Sequence, residues 1–513
     1  MPKDQLRLAD LLAALSVSTD LAMGQAPEKA VRACVVATEI ARHMNLPEPV
    51  VADAYYTTML KHLGCTATSH EELHLLGPDE AGMRPVAERT DVTSAREMLA
   101  LMRVTGRTAG AERIRYVARA VIGGKTASDS IMRAVCDVAA RMAERLDMSE
   151  GVRRGLAENV ERWDGKGAPQ KLRGDDIALA SRIAEPATQA VIFHRLGGTD
   201  AALVMVKRRA GRWFDPAIAE AFAAVGPKTL ERLDQEDPWA AVLEAEPEPV
   251  RRVASDSLDR VAEAFAAMVD LKTPFTLGHS EGVAELAAAA AERLGLTDPV
   301  SVRRAALFHD LGRVAIPASV WEKPAPLTTA EWEQVRLHPY QTERILARSS
   351  FLGPIARIAG MHHERQDGSG YHHGAAAAQV PIEARVLAAA DAYQAMTQDR
   401  PYRGALLPAA ATEMVMAEAS AGRLDLECAR AVVEAAGQRA PRVRMGWPAG
   451  LSDREVEVLR RVARGLSNRA IAVELFISPR TVDHHVQHIY GKIGVSTRAG
   501  AALFSMEQGL LRN

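Results

Sequence analysis

Two long stretches of the chain share a series of sequence blocks at matching spacings. APEKAVRACVVATEIARHMNLPEPV (26–50) parallels LGHSEGVAELAAAAAERLGLTDPV (277–300), and ERWDGKG (161–167) parallels ERQDGSG (364–370). Chance similarity between alanine-rich helices is the alternative, but it does not account for several blocks in one order. An internal repeat obliges both stretches to fold alike, so we predict two copies of one domain in tandem.

Helical periodicity dominates the rest of the pattern. Apolar residues recur at three- and four-residue spacing over 251–270, 281–294, 383–398 and 409–419, which is typical of amphipathic helices. Only 4% of the residues are aromatic, and strand patterns are scarce. We therefore predict an all-α protein with at most one small hairpin.

Two segments lack this periodicity and have the composition of linkers. EAEPEPVRR (244–252) is charged and carries proline, and RAPRVRMGWPAG (439–450) combines proline, glycine and arginine before a new helix start. The predicted domains of this 513-residue chain are therefore 1–243, 250–438 and 447–513.

Cysteine usage and hydropathy indicate the compartment. The four cysteines lie far apart and form no C-x-x-C pair, so a cysteine zinc site or redox dithiol is not expected. No apolar run approaches the ~20 residues that span a bilayer, and the N-terminus lacks a signal pattern. We expect a cytoplasmic protein without membrane contact.

Charge is distributed unevenly along the chain. The overall net charge is −2, yet residues 439–513 carry 12 Lys and Arg against 6 Asp and Glu, a net of +6 that leaves −8 for the remainder. A basic end on an acidic body is typical of a nucleic-acid-binding module.

Histidines concentrate in the second repeat. Seven of the fifteen lie between 279 and 373, His309 is followed directly by Asp310, and Asp391 lies within an alanine-rich helix where a lone charge is costly. Imidazole and carboxylate together favour iron, manganese or zinc. Six or seven such ligands suit two ions, and a pair about 3.5–4 Å apart suits phosphoester chemistry. Any one of these histidines taken alone could equally be an ordinary surface or core residue.

Residues 275–437 resemble an HD-GYP domain, the branch of the HD phosphohydrolase superfamily associated with cyclic di-GMP hydrolysis. The resemblance rests on GHSEGVAELA, FHDLGRVAIP, LTTAEWEQVRLHPYQTERIL, HHERQDGSGY, IEARVLAAADAY and DRPYRGA. It implies two divalent ions, iron or manganese, held by His279, His309, Asp310, His338, His362, His363 and Asp391. Asp310 would bridge the ions and act with Arg313 in catalysis, and Arg400 and Arg403 match positions that face substrate phosphates.

The sequence departs from the family pattern around these ligands. The signature proline is His372, the lysine that follows the HD pair is Arg313, and a second aspartate near Asp391 is Gln394. Phe275 stands where some members carry a glutamate for a third metal, so two ions are expected. These changes leave a sensor without turnover as the alternative to a hydrolase.

The first repeat has lost the ligands. Their positions are taken by Lys29, Lys61, His62, Asn159, Val160 and Thr188. A lysine repels a metal cation, so this copy is not expected to hold the two-metal centre. Dimerisation, support of the second copy and sensing of another ligand are the roles left open.

The C-terminal segment has clear helix-start signals. Ser452 with Glu455 forms a capping box, and Ser478 followed by Pro479 places an N-cap before a polar helix over 479–493. A short helix, a turn and a polar helix are typical of a helix-turn-helix. A metal site formed by His484, His485 and His488 and a protein-binding four-helix module are the alternatives.

This segment closely resembles the LuxR-type DNA-binding domain in LSDREVEVL, GLSNRAIA and ISPRTVDHHVQHIYGKIGV. The resemblance implies DNA contacts by Arg480, Thr481, Val482, His485 and Lys492. Such domains pair on two half-sites, so a homodimer is expected. Together the segments predict a DNA-binding regulator that hydrolyses a cyclic dinucleotide or, alternatively, only senses one.

Overall fold

The computed structural model describes residues 6–91, 93–437 and 447–511. Most of the 439–450 linker therefore lies outside the described residues. The chain divides into two compact units, Met1–Arg260 and Val261–Asn513. The boundary falls inside a helix that follows the 244–252 segment, and the division into three domains stays a prediction.

The first unit contains the N-terminal repeat. Its helices are α1 (Leu8–Ala22), α2 (Lys29–His43), α3 (Glu48–Leu60), α4 (Ser69–Leu76), α5 (Glu80–Arg89), α6 (Ala95–Val104), α7 (Arg113–Arg145), α8 (Glu150–Ala157), α9 (Leu179–Arg209), α10 (Pro216–Gln235) and α11 (Pro238–Glu244). Helix α9 is interrupted at Gly197 and Gly198, where the backbone leaves helical geometry.

The single sheet in the described part of the chain is a two-stranded antiparallel pair. It joins β1 (Leu6–Arg7) to β2 (Arg252–Val253). These strands are far apart in sequence, so the predicted local hairpin is replaced by a long-range pair. Helix α12 (Ser255–Asp270) follows β2 and leads into the second unit.

The second unit begins with the histidine-rich repeat. Its helices are α13 (His279–Arg293), α14 (Pro299–Phe308), α15 (Ala318–Trp321), α16 (Thr329–Arg336), α17 (His338–Leu346), α18 (Gly353–Gly360), α19 (Ile382–Met396), α20 (Pro408–Ser420) and α21 (Leu426–Gly437). Small alanines make up about half of the buried residues of α13 and α19, which lets these two helices pack closely. The expectation of an all-α fold is confirmed.

The two repeats share backbone details as well as sequence. Helices α2 and α13 both follow a residue in the left-handed region, Glu28 with φ 75° and Gly278 with φ 71°. Just before each of these turns lies a buried aspartate, Asp20 or Asp270, which accepts a hydrogen bond from a backbone N–H near the start of the next helix. The same left-handed turn and the same aspartate hydrogen bond recur at the same spacing, which indicates that the two repeats are copies of one unit.

The C-terminal helices form their own hydrophobic core. They are α22 (Asp453–Ala463), α23 (Asn468–Leu475), α24 (Pro479–Ile493) and α25 (Arg498–Glu507). The predicted Ser452–Glu455 capping box is present, and the Ser478 hydroxyl accepts from the Thr481 N–H at the start of α24. Among the described residues, no helix has the length and hydropathy needed to cross a bilayer.

Candidate metal centre

The predicted ligands come from five separate places in the second repeat and meet in its interior. They are the first residue of α13, the two residues after α14, the first residue of α17, the pair that follows α18, and one residue within α19: His279, His309, Asp310, His338, His362, His363 and Asp391. All but His363 are buried, and His363 is partly exposed.

The Asp310 carboxylate faces two groups of imidazoles with its two oxygens. Its Oδ2 lies 3.3 Å from His309 Nε2 and 3.7 Å from His279 Nε2. Its Oδ1 lies 3.4 Å from His338 Nε2 and 3.8 Å from His362 Nε2. One carboxylate therefore separates two nitrogen-rich pockets.

Asp391 completes the first of these pockets. Its Oδ1 lies 3.1 Å from His279 Nε2 and 3.8 Å from His309 Nε2. Its Oδ2 lies 3.8 Å from Nδ1 of His363, whose ring packs against Tyr371 with centroids 4.8 Å apart. His363 also belongs to the second pocket, together with His338 and His362. The Nε2 atoms of these last two residues are 3.1 Å apart.

Hydrogen bonds fix how the imidazoles point. Three of them place Nδ1 within 2.6–2.7 Å of the carbonyl oxygen three residues earlier, and the donor and acceptor pairs are His309 with Ala306, His338 with Val335, and His362 with Ala359. His279 Nδ1 lies 2.9 Å from Oε1 of Gln398. A protonated Nδ1 bound in this way leaves Nε2 available as a metal ligand.

Burial lowers the pKa of most imidazoles in this cluster, but at His309 the Asp310 carboxylate outweighs burial and raises the pKa to about 9. Desolvation lowers the pKa of His338 to about 3, with His363 adding to the effect, and it lowers the pKa of His279, His362 and His363 as well. The pKa of Asp310 falls well below its usual range because Arg313 and His309 outweigh burial. Neutral imidazoles and ionised carboxylates are the forms that bind metals.

The donor set fits two divalent cations. Nε2 of His309 is buried and makes no hydrogen bond to any residue within the described ranges, although it faces both carboxylates. His279, His309 and Asp391 form one group of converging ligand atoms, and His338, His362 and His363 form another. Each group with one Asp310 oxygen offers four nitrogen and oxygen donors to a borderline metal.

Arg313 and Trp321 pack against each other at the edge of the predicted metal centre. Arg313 Nη1 lies 2.5 Å from Asp310 Oδ2, and its guanidinium stacks on the Trp321 ring at 4.1 Å. Burial lowers the pKa of Arg313, but the charge of Asp310 outweighs it, so the pKa is raised. The guanidinium stays charged and cannot deliver a proton. Trp321 carries no signal in the sequence that marks it as a neighbour of this site.

The two predicted phosphate-facing arginines have different surroundings. Burial and nearby Arg313 lower the pKa of Arg400 to about 10, which leaves it protonated at neutral pH beside Asp391. Arg403 instead donates to the carbonyls of Ala395 and Met396 at the end of α19. Its guanidinium caps that helix, and the prediction that Arg403 faces substrate stays a prediction.

In the first repeat, a salt-bridged cluster occupies the place of the metal centre. Lys29 Nζ lies 2.9 Å from Glu88 Oε1 and 2.9 Å from His62 Nε2. Lys61 pairs with Glu185, one turn before Thr188 on α9. Two ammonium groups thus neutralise two buried carboxylates where the second repeat gathers imidazoles.

The helix-turn-helix presents the predicted DNA-facing residues unequally. Arg480 and Thr481 are exposed near the start of α24, and His485 is half-buried one turn later. Val482 has 0% exposure and belongs to the domain core, and its predicted groove contact stays a prediction. Lys492 Nζ lies 2.6 Å from Glu455 Oε2, which directs the ammonium to the cap of α22.

Known families match both parts of the chain. The HD domain family matches residues 124–218 and 263–428, in both repeats, and the family of bacterial regulatory proteins called luxR matches residues 449–505. The 3'3'-cGAMP-specific phosphodiesterase 3 of Vibrio cholerae is 31% identical over 83% of this chain and 94% of its own length. The cyclic di-GMP phosphodiesterase PA4108 of Pseudomonas aeruginosa is 38% identical over 36% of this chain and 47% of its own.

A solved structure shares the fold. The crystal structure of a cyclic GMP-AMP-specific phosphodiesterase of V. cholerae superposes with a TM-score of 0.59 at 27% identity and covers 85% of this chain and 99% of that one. This structural match, the two HD domain matches and the ligand geometry together support a single family assignment. The chain belongs to the HD-GYP branch of the metal-dependent HD phosphohydrolases and ends in a luxR-family helix-turn-helix.

Proposed function

We propose that the second repeat hydrolyses a phosphodiester bond of a cyclic dinucleotide. The observation that carries the proposal is the Asp310 carboxylate, whose two oxygens each face a separate set of imidazoles. A carboxylate that separates two nitrogen-rich pockets suits a bridging ligand between two ions. The relatives in V. cholerae and P. aeruginosa act on 3'3'-cGAMP and cyclic di-GMP, which supports this substrate class.

Different side chains have different roles in the proposed reaction. Bound iron or manganese ions would activate water at neutral pH and neutralise phosphate charge. The six other predicted ligands, with Asp310 between them, would hold these ions rigidly. Arg400, still charged at neutral pH, orients a non-bridging phosphate oxygen. Arg313 balances the charge of Asp310 and keeps its carboxylate in place.

The test is turnover of 3'3'-cGAMP and cyclic di-GMP by the full chain loaded with iron or manganese. The His309→Ala/Asp310→Ala double variant is expected to lose at least about a thousandfold in rate, because metal catalysis supplies most of the acceleration. His43→Ala removes an exposed histidine in the first repeat and is the matched control. Linear dinucleotide product from the wild-type chain supports the proposal.

Binding without turnover would overturn hydrolysis and favour the sensor. Three features make this a real alternative: Arg313 replaces a lysine, Gln394 packs on Gly282 of α13 rather than adding a carboxylate, and His372 replaces the signature proline. Equilibrium dialysis of labelled dinucleotide, run beside the turnover assay, separates the two outcomes.

We also propose that the C-terminal helices bind DNA as a homodimer and regulate transcription. Arg480 and Thr481 are exposed on α24, the helix expected in the major groove. Both DNA and cyclic dinucleotides occur in the cytoplasm, so we propose that the protein is located there. Gel-filtration mass and selection of bound DNA fragments test this proposal. A monomer that retains no fragment would contradict it.

A further inference from the structure

A second group of metal-ligand side chains lies in the same unit and includes the two histidines that follow Tyr371. Glu343 Oε2 lies 2.8 Å from His373 Nε2 and 3.2 Å from His372 Nε2. One ligand atom from each residue falls within 4.8 Å of both others. We propose that Glu343, His372 and His373 form a mononuclear Zn²⁺ site.

The spacing of these atoms suits zinc. Tetrahedral Zn²⁺ with bonds of about 2.0–2.2 Å to imidazole nitrogen and carboxylate oxygen separates neighbouring ligand atoms by roughly 3.3 Å. The 3.2 Å between Glu343 Oε2 and His372 Nε2 lies close to that value, and His373 Nε2, at 2.8 Å, would move outward by a few tenths of an ångström to bind zinc. Two imidazoles and one carboxylate favour a borderline ion such as Zn²⁺ over Mg²⁺ or Ca²⁺, which take oxygen ligands.

The backbone already holds the three ligands in place. The Glu364 carboxylate accepts hydrogen bonds from His373 N at 2.7 Å and Ala375 N at 2.8 Å, which fixes the loop that carries both histidines. Glu343 projects from α17 over Gly360, where an added Cβ would lie 2.7 Å from Glu343 Oε2. The glycine therefore leaves the space that the carboxylate occupies.

The site has room for a fourth ligand. Glu343 and His373 line a cavity of about 500 Å³ together with Arg357, Met361 and Gln379. His373 is partly exposed, so an ion can enter from this side. Three protein ligands with an open position allow water to complete a tetrahedron.

The proposed zinc site is independent of the two-metal centre. His372 stands where the family signature has proline, so the signature itself does not supply this ligand. Tyr371, next to His372, packs on His363 of the centre. Zinc would therefore hold the loop that supports one predicted ligand without replacing any ligand itself.

Zinc content of the full chain, measured after dialysis against Zn²⁺ and then against metal-free buffer, tests the proposal. Glu343→Gln, His372→Asn and His373→Asn are each expected to bind one zinc fewer per chain than the wild type. His43→Asn, an exposed histidine in the other unit, is the matched control and should bind as many as the wild type. Circular dichroism verifies that each variant is folded.

A second measurement separates this site from the proposed catalytic centre. Glu343→Gln is introduced into the His309→Ala/Asp310→Ala background, and the same loss of one zinc is expected there. Co²⁺ in a four-coordinate site also gives a strong visible absorption, which should disappear with Glu343→Gln. Equal zinc content and an unchanged Co²⁺ spectrum in a folded Glu343→Gln variant would overturn the proposal, whatever the hydrolase assay shows.

Discussion

Single hydrogen bonds outside the ligand set prepare the metal centre. Gln398 Oε1 accepts from Nδ1 of His279, and this contact keeps Nε2 directed at Asp391 and Asp310. Gln398 belongs to the loop after α19 and was not marked by the sequence motifs. Partners of this kind raise ligand basicity and fix ring orientation.

Removing the amide of Gln398 should weaken metal binding. Gln398→Leu is expected to reduce metal affinity by about 10–100-fold, because His279 then loses its orienting acceptor. Competition with a chromophoric chelator measures the change. Gln235→Leu, at an exposed position in the first repeat, serves as the control. Unchanged affinity in Gln398→Leu would mean that His279 needs no such support.

His62 makes the stability of the first repeat sensitive to acid. Burial, helped by Lys29, lowers the pKa of His62 to about 4. An unfolded chain protonates histidine near pH 6.5, so below that pH the unfolded state binds more protons. The contribution of neutral His62 to the free energy of unfolding is complete above about pH 6.5. It declines by about 3 kcal/mol as the pH falls to about 4.

The test compares thermal midpoints of the wild type and His62→Asn at pH 7.5, 6.0 and 5.0. The wild-type midpoint should fall more steeply than that of the variant, because asparagine does not titrate. Parallel curves would show that His62 is not protonated on unfolding in this range. The exposed His43→Asn variant should follow the wild type.

At the scale of elements, α24 combines an exposed face, proposed to contact DNA, with a core face. Val482 and Val486 are buried, whereas Arg480 and Thr481 are exposed. The LuxR-type resemblance implies a DNA contact by Val482, whereas the structure places this side chain in the core of the domain. The two faces should therefore respond differently to substitution.

Arg480→Ala should weaken DNA binding by about 1–3 kcal/mol without changing the thermal stability of the protein. Val482→Ala should have the reverse effect, with a loss of about 2 kcal/mol in unfolding free energy because it leaves a cavity in a small core. Fluorescence anisotropy and thermal unfolding distinguish the two. Equal DNA defects in both folded variants would restore Val482 as a contact.

Much of this architecture could be predicted from the sequence. The helix starts at Ser452 and Ser478 follow from local hydrogen bonding, and the repeat follows from spacing. The cap that Arg403 places on α19, and the stacking of Arg313 on Trp321, depend on how distant segments pack. No local pattern encodes such contacts, so sequence reasoning placed Arg403 at the substrate.

At the scale of the whole molecule, the charge asymmetry predicts how DNA binding depends on salt. The C-terminal 75 residues carry a net of +6 on a body of −8. Phosphate neutralisation releases counterions, so the logarithm of the DNA affinity should fall linearly with the logarithm of salt concentration. Anisotropy titrations at 50–300 mM KCl test this. A DNA affinity that does not change with salt concentration would argue against phosphate contacts.

The two repeats balance their buried carboxylates in different ways. Lys29 and Lys61 neutralise Glu88 and Glu185 from within the chain, so the first repeat carries its own counter-charges. In the second repeat Arg313 balances Asp310, whereas Asp391 faces imidazoles that would hold metal ions together with it. In a cell starved of transition metals, the first repeat would keep its internal ion pairs while the proposed chemistry of the second would be lost.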